Sequence, residues 1–218
     1  MKYRYRNHIS WVLAAFVLVF AACTAGGNPK AVQKKVTVGI AQLGEIPITV
    51  CDTVKKAIQY IYGFNVVILK KEEIPKQFFV NIKLPRYRAD SLIRYLKRKA
   101  NDSVRFVTGI TGYDISTTKY DEDGNILTPA SKYADWGVFG LGYMPGPSCI
   151  VSTYRLKTAD KKLFYNRIKK VVVHELGHNL GLDHCSDKHC VMTDAVEKIS
   201  TVDNEAMELC GKCRNKIN

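Results

Sequence analysis

Residues 174–184 read HELGHNLGLDH, and this stretch decides how the rest of the chain is interpreted. His174 and His178 are four residues apart, so on a helix their imidazoles project from the same face, one turn apart. Gly181 can end that helix, because a residue without a Cβ can adopt the left-handed conformation that turns the chain sharply. His184 follows three residues later and can return to the same point. The spacing predicts three imidazole ligands for one metal ion.

The predicted ligand set is typical of a catalytic zinc site. Three imidazoles leave the fourth position of a tetrahedral zinc ion open for water, which distinguishes catalytic from closed structural sites. Bound zinc lowers the pKa of water to about 7 and polarises a carbonyl group. Glu175 is the predicted general base, which would take a proton from the attacking water and pass it to the departing amine. An HExxH pattern alone also occurs on packed helices without metal. Three of the five histidines of the chain fall within this stretch, which favours a metal site.

The longer pattern is similar to the zinc-binding signature of the metzincin clan of metallopeptidases. In that clan a methionine turn follows the signature, and Met192 lies eight residues after His184. The resemblance implies that Met192 passes beneath the metal as a hydrophobic floor. A methionine considered alone is more often ordinary core filler.

Four cysteines follow the histidines at spacings typical of metal ligands. Cys185 comes directly after the last histidine, Cys190 follows it, and Cys210 and Cys213 form a CxxC pair. Two sulfurs from a loop and two from a CxxC knuckle suit a closed tetrahedral zinc site, which would tie the C-terminal tail to the catalytic loop. In an oxidising compartment the same cysteines could form disulfides instead. The CxxC spacing favours the metal.

The complete run consists of HELGHNLGLDHC, four residues, CVM, seventeen residues and CGKC. It resembles the archaemetzincins, a family within the metzincin clan. The resemblance implies an α/β (α+β) fold with a mixed, mostly parallel twisted sheet, three main helices and a small zinc-bound C-terminal region at 185–213. It implies catalysis by Glu175 and two zinc ions per chain, one catalytic and one structural. The implied ligands are His174, His178 and His184 for the catalytic zinc, and Cys185, Cys190, Cys210 and Cys213 for the structural zinc.

Upstream of the histidines, the hydrophobic pattern predicts strands that alternate with helices, and hence a mixed α/β sheet. Asp52 is predicted to cap a helix that ends at Gly63. Residues 64–69 form a continuous apolar run and predict a strand buried on both faces. The other predicted strands are 35–42, 104–111, 137–143 and 149–154, and the other predicted helices are 88–99 and one that begins at Asp160. Cys51 and Cys149 are predicted to be either buried small hydrophobic residues or a disulfide pair.

The N-terminal residues predict export and a membrane anchor. Basic residues precede an apolar run from Trp11 to Phe20, and about ten apolar residues are too few for a transmembrane helix, which needs roughly twenty. The sequence FAAC, which ends at Cys23, resembles the lipobox of bacterial lipoproteins. The resemblance implies a signal peptide at 1–22, a lipid on Cys23 and a place in the bacterial cell envelope. Residues 23–34 are then a tether, and residues 35–218 are the catalytic domain.

The formal charge of +13 raises the possibility of a nucleic-acid partner. Because the basic residues are spread along the whole chain without an aromatic-interleaved block, we expect none. The expected partner is a peptide or protein substrate, and the expected state is a monomer. In metzincins an antiparallel edge strand above the zinc pairs with the substrate backbone. The candidates here are Val138, Phe139, Gly140 and Leu141, although their glycine equally suits a bulged edge without a ligand.

The predicted activity is hydrolysis of peptide bonds in small peptides or unfolded chains, either at amino termini or internally. The alternative is a non-catalytic envelope module in which both zinc ions are structural and the cleft only holds a peptide. Glu175 distinguishes the two, because a binding module has no need of a base beside an open zinc position.

Overall fold

The chain folds into two small sheets covered by helices. The computed structural model describes residues 35–195 and 198–217, so the predicted signal peptide, the tether and Cys23 lie outside the described residues. The strands are β1 (Thr37–Leu43), β2 (Asn65–Ile68), β3 (Phe79–Asn81), β4 (Pro85–Arg88), β5 (Phe106–Thr111), β6 (Ile115–Thr117), β7 (Trp136–Val138), β8 (Gly140–Gly142) and β9 (Ser148–Ser152). The helices are α1 (Ile48–Tyr62), α2 (Ala89–Lys97), α3 (Ala130–Tyr133), α4 (Lys161–Asn179), α5 (Ile199–Asn204) and α6 (Gly211–Ile217).

The main sheet has five strands in the order β2-β1-β5-β9-β8. Every pairing in it is parallel except that between β8 and β9, which is antiparallel. The central strands β5 and β9 are buried at every residue, as expected where helices cover both faces of a parallel sheet. The predicted fold class, a mixed and mostly parallel sheet with three main helices, is confirmed.

The prediction that residues 64–69 are buried on both faces is wrong. The strand is there, as β2, but it lies at the edge of the sheet, where Asn65 and Val67 are exposed. An apolar run is ambiguous in this respect, since its length and composition do not tell an edge strand from a central one.

Helix α1 begins earlier than predicted. It starts at Ile48, directly after Pro47, so Asp52 lies in the second turn and does not cap the helix. The fixed φ of a proline suits the start of a helix, which explains why the chain turns there. The predicted end is confirmed, because Gly63 adopts the left-handed conformation with φ 65°. The predicted start of α4 is confirmed as well, since the Asp160 carboxylate accepts a hydrogen bond of 3.1 Å from the Leu163 N–H.

The segment predicted as one strand at 137–143 divides between two sheets. Strand β7 pairs with β6 in a second, four-stranded sheet of order β3-β4-β6-β7, whereas β8 pairs with β9 in the main sheet. The guanidinium of Arg155 occupies the space beside Gly137, so that a Cβ at that glycine would lie 2.1 Å from its nitrogen. Arg155 also pairs with the buried Asp114 at 2.7 Å, and Asp114 pairs with Arg86 at 2.8 Å. These ion pairs join the second sheet to the segment that follows β9.

Helices cover the main sheet on both faces. One hydrophobic cluster joins α1 and α4 to the sheet, and a second joins α2 to it. A third cluster lies beneath the C-terminal region and includes Met192, Leu209 and Cys213. Cys51 and Cys149 are both buried and free, which favours the interpretation as small hydrophobic residues. Among the described residues, no helix has the length and apolar character needed to cross a membrane.

Candidate active site and metal centre

Helix α4 presents the predicted ligands because its apolar stripe fixes its rotation against the sheet. Ile168, Val172 and Leu176 recur at four-residue steps and are fully buried. Phe164 and Leu180 continue the stripe at the two ends and are partly buried against the same cluster. With this face held against the sheet, the two histidines of α4 face a cleft between the sheet edge and the segment that follows the helix.

Two main-chain carbonyl oxygens orient the histidines of α4. The Nδ1 atom of His174 lies 2.8 Å from the Val191 oxygen, and that of His178 lies 2.7 Å from the Leu182 oxygen. A carbonyl oxygen only accepts hydrogen bonds, so each ring carries its hydrogen on Nδ1 and a lone pair on Nε2. The two Nε2 atoms are 3.0 Å apart. Two lone pairs that face each other at this distance repel, and a cation bound by both nitrogens would remove the repulsion.

The third histidine completes the group. Gly181 has φ +88° and reverses the chain after α4, which brings the His184 ring to 5.3 Å from the His174 ring and 4.9 Å from the His178 ring, measured between centroids. One ligand nitrogen from each histidine lies within 4.8 Å of the others. In a tetrahedral zinc site with Zn–N distances of about 2.0–2.1 Å, ligand nitrogens are roughly 3.3 Å apart. The three imidazoles therefore fit zinc in both chemistry and spacing.

Burial sets the protonation of the groups in the cleft. Desolvation lowers the pKa of His174 to about 4 and also lowers the pKa of His178, so both rings are neutral at pH 7, as metal ligands must be. Glu175 is 8% exposed, and burial raises its pKa to about 8. A carboxyl group that titrates near neutrality can both take and give a proton at physiological pH.

Met192 lies against the helix between the two histidine positions. It is fully buried, and a Cβ at Gly177 would lie 2.4 Å from its sulfur. The methionine is therefore packed under the turn of α4 that carries the candidate ligands, where the resemblance to the metzincins placed it. Gly177 is needed for this close approach.

The cleft has a volume of about 450 Å³, and all four residues of the predicted substrate strand line it. Val138 belongs to β7, Phe139 lies between the strands, and Gly140 and Leu141 belong to β8, the last strand of the main sheet. A Cβ at Gly140 would lie 2.7 Å from both Cγ and Oε1 of Glu175. The glycine thus allows the edge strand to lie directly over Glu175.

The four cysteines form a second cluster next to the first. All four sulfurs lie within 4.8 Å of one another, and those of Cys185 and Cys210 are 3.7 Å apart. This separation far exceeds the roughly 2.05 Å of a disulfide and matches the roughly 3.8 Å expected between sulfurs at about 2.3 Å from a tetrahedral zinc. A hydrogen bond from the Cys213 N–H lowers the pKa of Cys210 to about 7, while burial raises the pKa of Cys213. The donor set fits a closed zinc site.

The family model of peptidase family M54 matches residues 33–218, which carry both ligand clusters. The chain belongs to peptidase family M54. The archaemetzincin of Halobacterium salinarum is 30% identical to this M54 chain over 189 residues, which cover 83% of this chain and 98% of that protein. The resemblance to the archaemetzincins is thereby confirmed, and this M54 peptidase is a zinc metallopeptidase.

Solved archaemetzincin structures share the fold of this M54 peptidase. The structure from Methanopyrus kandleri superposes with a TM-score of 0.69 at 26% identity and covers 87% of this chain and 96% of that one. The structure from Archaeoglobus fulgidus, in complex with malonate, gives a TM-score of 0.67 at 24% identity and covers 84% of this chain and 100% of that one.

Several residues that line the cleft of the M54 peptidase were not predicted from its sequence. They are Thr117, Thr118, Lys119, Met144, Asp194 and Ala195. Asp194 lies 3.6 Å from the Nδ1 atom of His184, measured from its Oδ2 atom, and its position two residues after Met192 is a signal that could have identified it. Thr117 ends a strand of only three residues, whose pattern is too short to predict.

Proposed function

We propose that this M54 peptidase hydrolyses peptide bonds in small peptides or unfolded chains, with Glu175 as the general base. The observation that carries the proposal is the pair of Nε2 atoms 3.0 Å apart at the floor of a cleft that Glu175 also lines. His174, His178 and His184 would hold the catalytic zinc. When bound there, zinc supplies a Lewis acid that polarises the scissile carbonyl and acidifies a water molecule.

Other groups in and around the cleft would hold the substrate, transfer the proton and orient the histidines. Strand β8 offers its free edge to an extended substrate, so that main-chain hydrogen bonds can hold the peptide beside Glu175. The buried Glu175 carboxylate takes the proton of the attacking water and passes it to the amine that departs. The carbonyl oxygens of Val191 and Leu182 keep the two imidazoles in one orientation and one tautomer.

A second zinc is part of the proposal. Cys185, Cys190, Cys210 and Cys213 would hold it with no open position, so its role is structural. Because Cys185 is bonded to His184, this zinc would help to fix the third histidine. The Cys210 N–H lies 3.3 Å from the Cys190 sulfur and can stabilise a thiolate there.

The proposed location is the bacterial cell envelope, with the chain anchored by a lipid on Cys23 and exported through residues 1–22. The support is the sequence FAAC after an apolar run. The chain would act there as a monomer.

The test is cleavage of a broad peptide library by zinc-loaded protein, with products identified by mass spectrometry. The Glu175→Gln variant keeps the size of the side chain but not its basicity, and we expect a loss of about 10²–10⁴-fold in kcat/KM with zinc content unchanged. Glu73→Gln, at an exposed residue, is the control and should match the parent. If Glu175→Gln cleaves as well as the parent, Glu175 is not the general base. If the parent cleaves no peptide, the chain is instead a peptide-binding module.

A further inference from the structure

A small cavity opens beside the active site. It has a volume of about 50 Å³ and shares Phe139, His174, Glu175 and Ala195 with the main cleft. The rest of its wall consists of Val171, Val202 and Glu205. A cavity of roughly 10–15 Å³ already holds one water molecule, so this one has room for the head group of a side chain whose stem lies in the cleft.

The wall of this cavity includes a buried carboxyl group, that of Glu205. The residue is only 5% exposed. Within the described part of the chain its carboxylate has neither a hydrogen-bond donor nor an ion-pair partner, although its main-chain N–H bonds to the Thr201 oxygen. Buried carboxylates are normally paired, because removing an ionised group from water without a partner costs several kcal/mol. Burial accordingly raises the pKa of Glu205 to about 8.

The nearby charged residues have other partners. The Lys170 ammonium is near enough to influence Glu205, but it donates to the carbonyl oxygens of Val202 and Asp203 at 2.7 and 3.0 Å. The Asp203 carboxylate is occupied by Arg167, with which it forms two hydrogen bonds of 2.7 and 2.8 Å. The other carboxyl group that lines the cavity is that of Glu175, so the cavity has two acidic residues and an otherwise mostly apolar wall.

We propose that Glu205 lies at the bottom of a side-chain pocket that selects substrates with lysine or arginine next to the scissile bond. The inference rests on the proposed peptidase function. The apolar wall formed by Phe139, Val171 and Val202 suits the methylene stem of such a side chain, and its cationic head reaches the carboxylate. A bound cation supplies the partner that Glu205 lacks and shifts the carboxyl group to its ionised form.

The kinetic test compares matched peptides that differ at one residue beside the scissile bond, on either side of it. Lysine is compared with norleucine, which has the same stem without the charge, and with glutamine and glutamate. In the zinc-loaded parent, kcat/KM should be at least about tenfold higher for lysine than for norleucine, a ratio in the range of one charged hydrogen bond. In Glu205→Gln this ratio should fall to about one, whereas Glu73→Gln should keep it. A ratio that Glu205→Gln leaves unchanged, or a parent that prefers norleucine or glutamine, overturns the proposal.

A binding test separates this pocket from the peptidase activity. Zinc-loaded parent protein is titrated with n-butylguanidinium and with n-butylurea, which have similar shapes and differ in charge, and binding is followed by NMR. The cation should bind at least about tenfold more tightly to the parent and should lose this advantage in Glu205→Gln. Cation-selective binding without cleavage of any peptide would support the pocket and remove the proposed function. Equal binding of the two compounds by the parent overturns the pocket even if peptides are cleaved.

Discussion

At the scale of single residues, Gly140 sets the distance between the edge strand and the catalytic helix. A Cβ at this position would lie 2.7 Å from two atoms of Glu175, so either the strand or the glutamate must move when a side chain is added. Only a glycine allows both to stay where they are. This close contact couples the position of the proposed substrate strand to the position of the proposed base.

We therefore expect Gly140→Ala to lower kcat for peptide cleavage by at least about tenfold, since a misplacement of about 1 Å can cost far more than that. Zinc content should stay at the parent value, because no ligand is touched. Gly211→Ala is the matched control, since a Cβ there meets no atom within 4 Å, and it should retain parental activity. Steady-state kinetics with metal analysis checks both variants, and an unchanged kcat in Gly140→Ala would contradict the expected contact.

At the scale of secondary structure, Asn179 braces the hairpin of β8 and β9. Its Nδ2 atom donates to the carbonyl oxygens of Tyr143 and Ser148, each at 2.9 Å, and the side chain is almost fully buried. The last residue of α4 thereby holds the loop that joins the edge strand to the main sheet. The helix that carries the histidines also supports the proposed substrate strand.

Asn179→Ala should weaken this support. We expect the free energy of unfolding to fall by about 1–3 kcal/mol, because the carbonyl oxygens of Tyr143 and Ser148 each lose one hydrogen bond. We expect KM to rise more than kcat falls, because the proposed catalytic residues are untouched. Urea denaturation and steady-state kinetics measure the two effects. Asn125→Ala, at an exposed residue, should change neither. A variant with parental KM would show that the hairpin needs no brace.

The sequence predicts the long helices and strands that have a strong hydrophobic pattern. It does not predict features that depend on contacts between residues distant in the chain. The stripe from Phe164 to Leu180 and the strands β5 and β9 were predictable, because helical spacing and short segments rich in β-branched and apolar residues between turn residues are local signals. The division between β7 and β8 was not, since it depends on pairing with two different strands, β6 and β9, and a local pattern does not specify strand partners. The clustering of the histidines and of the cysteines was predictable from their spacing, whereas the role proposed for Glu205 was not, because its burial is a property of the folded chain.

At the scale of the whole molecule, the two ligand clusters make metal content a measure of folding. We expect two zinc ions per chain by mass spectrometry under native conditions. His178→Ala and Cys213→Ser should each bind one, because each removes a ligand from a different cluster. Cys213→Ser should also lower the midpoint of thermal unfolding, since zinc binding contributes folding free energy. One zinc and no free thiols among the four cysteines of the cluster in the parent would show disulfides in place of the structural site.

The buried Glu205 should make stability depend on pH. Its pKa rises from 4.5 in the unfolded chain to about 8 in the folded one, so between these values the unfolded chain has released a proton that the folded chain still holds. The free energy of unfolding contributed by this group therefore falls as pH rises from about 4.5 to about 8. Relative to the parent, Glu205→Gln should gain stability between pH 6 and pH 8.5, measured by urea denaturation at fixed zinc concentration. Parallel curves for the two proteins would contradict the raised pKa.

The proposed lipid anchor can be tested in a bacterial host. Cells that produce the parent and are fed an alkyne-tagged fatty acid should label the protein, because the proposed lipobox would place a diacylglycerol on Cys23. Cys23→Ser should carry no label and should leave the membrane fraction. Cys51→Ser removes a buried thiol and should keep the label. Label on Cys23→Ser would place the lipid elsewhere or exclude this type of anchor.

The open edge of β8 has a further consequence for the behaviour of the protein at high concentration. An unpaired strand edge is a template on which identical chains can stack into larger sheets. This edge is only three residues long and has a glycine at each end, and glycine is a poor strand former. A substrate needs to align a few residues for one turnover, whereas an aggregate needs a long and regular ladder. The short edge can thus bind a substrate and still offer too few main-chain hydrogen bonds to promote aggregation.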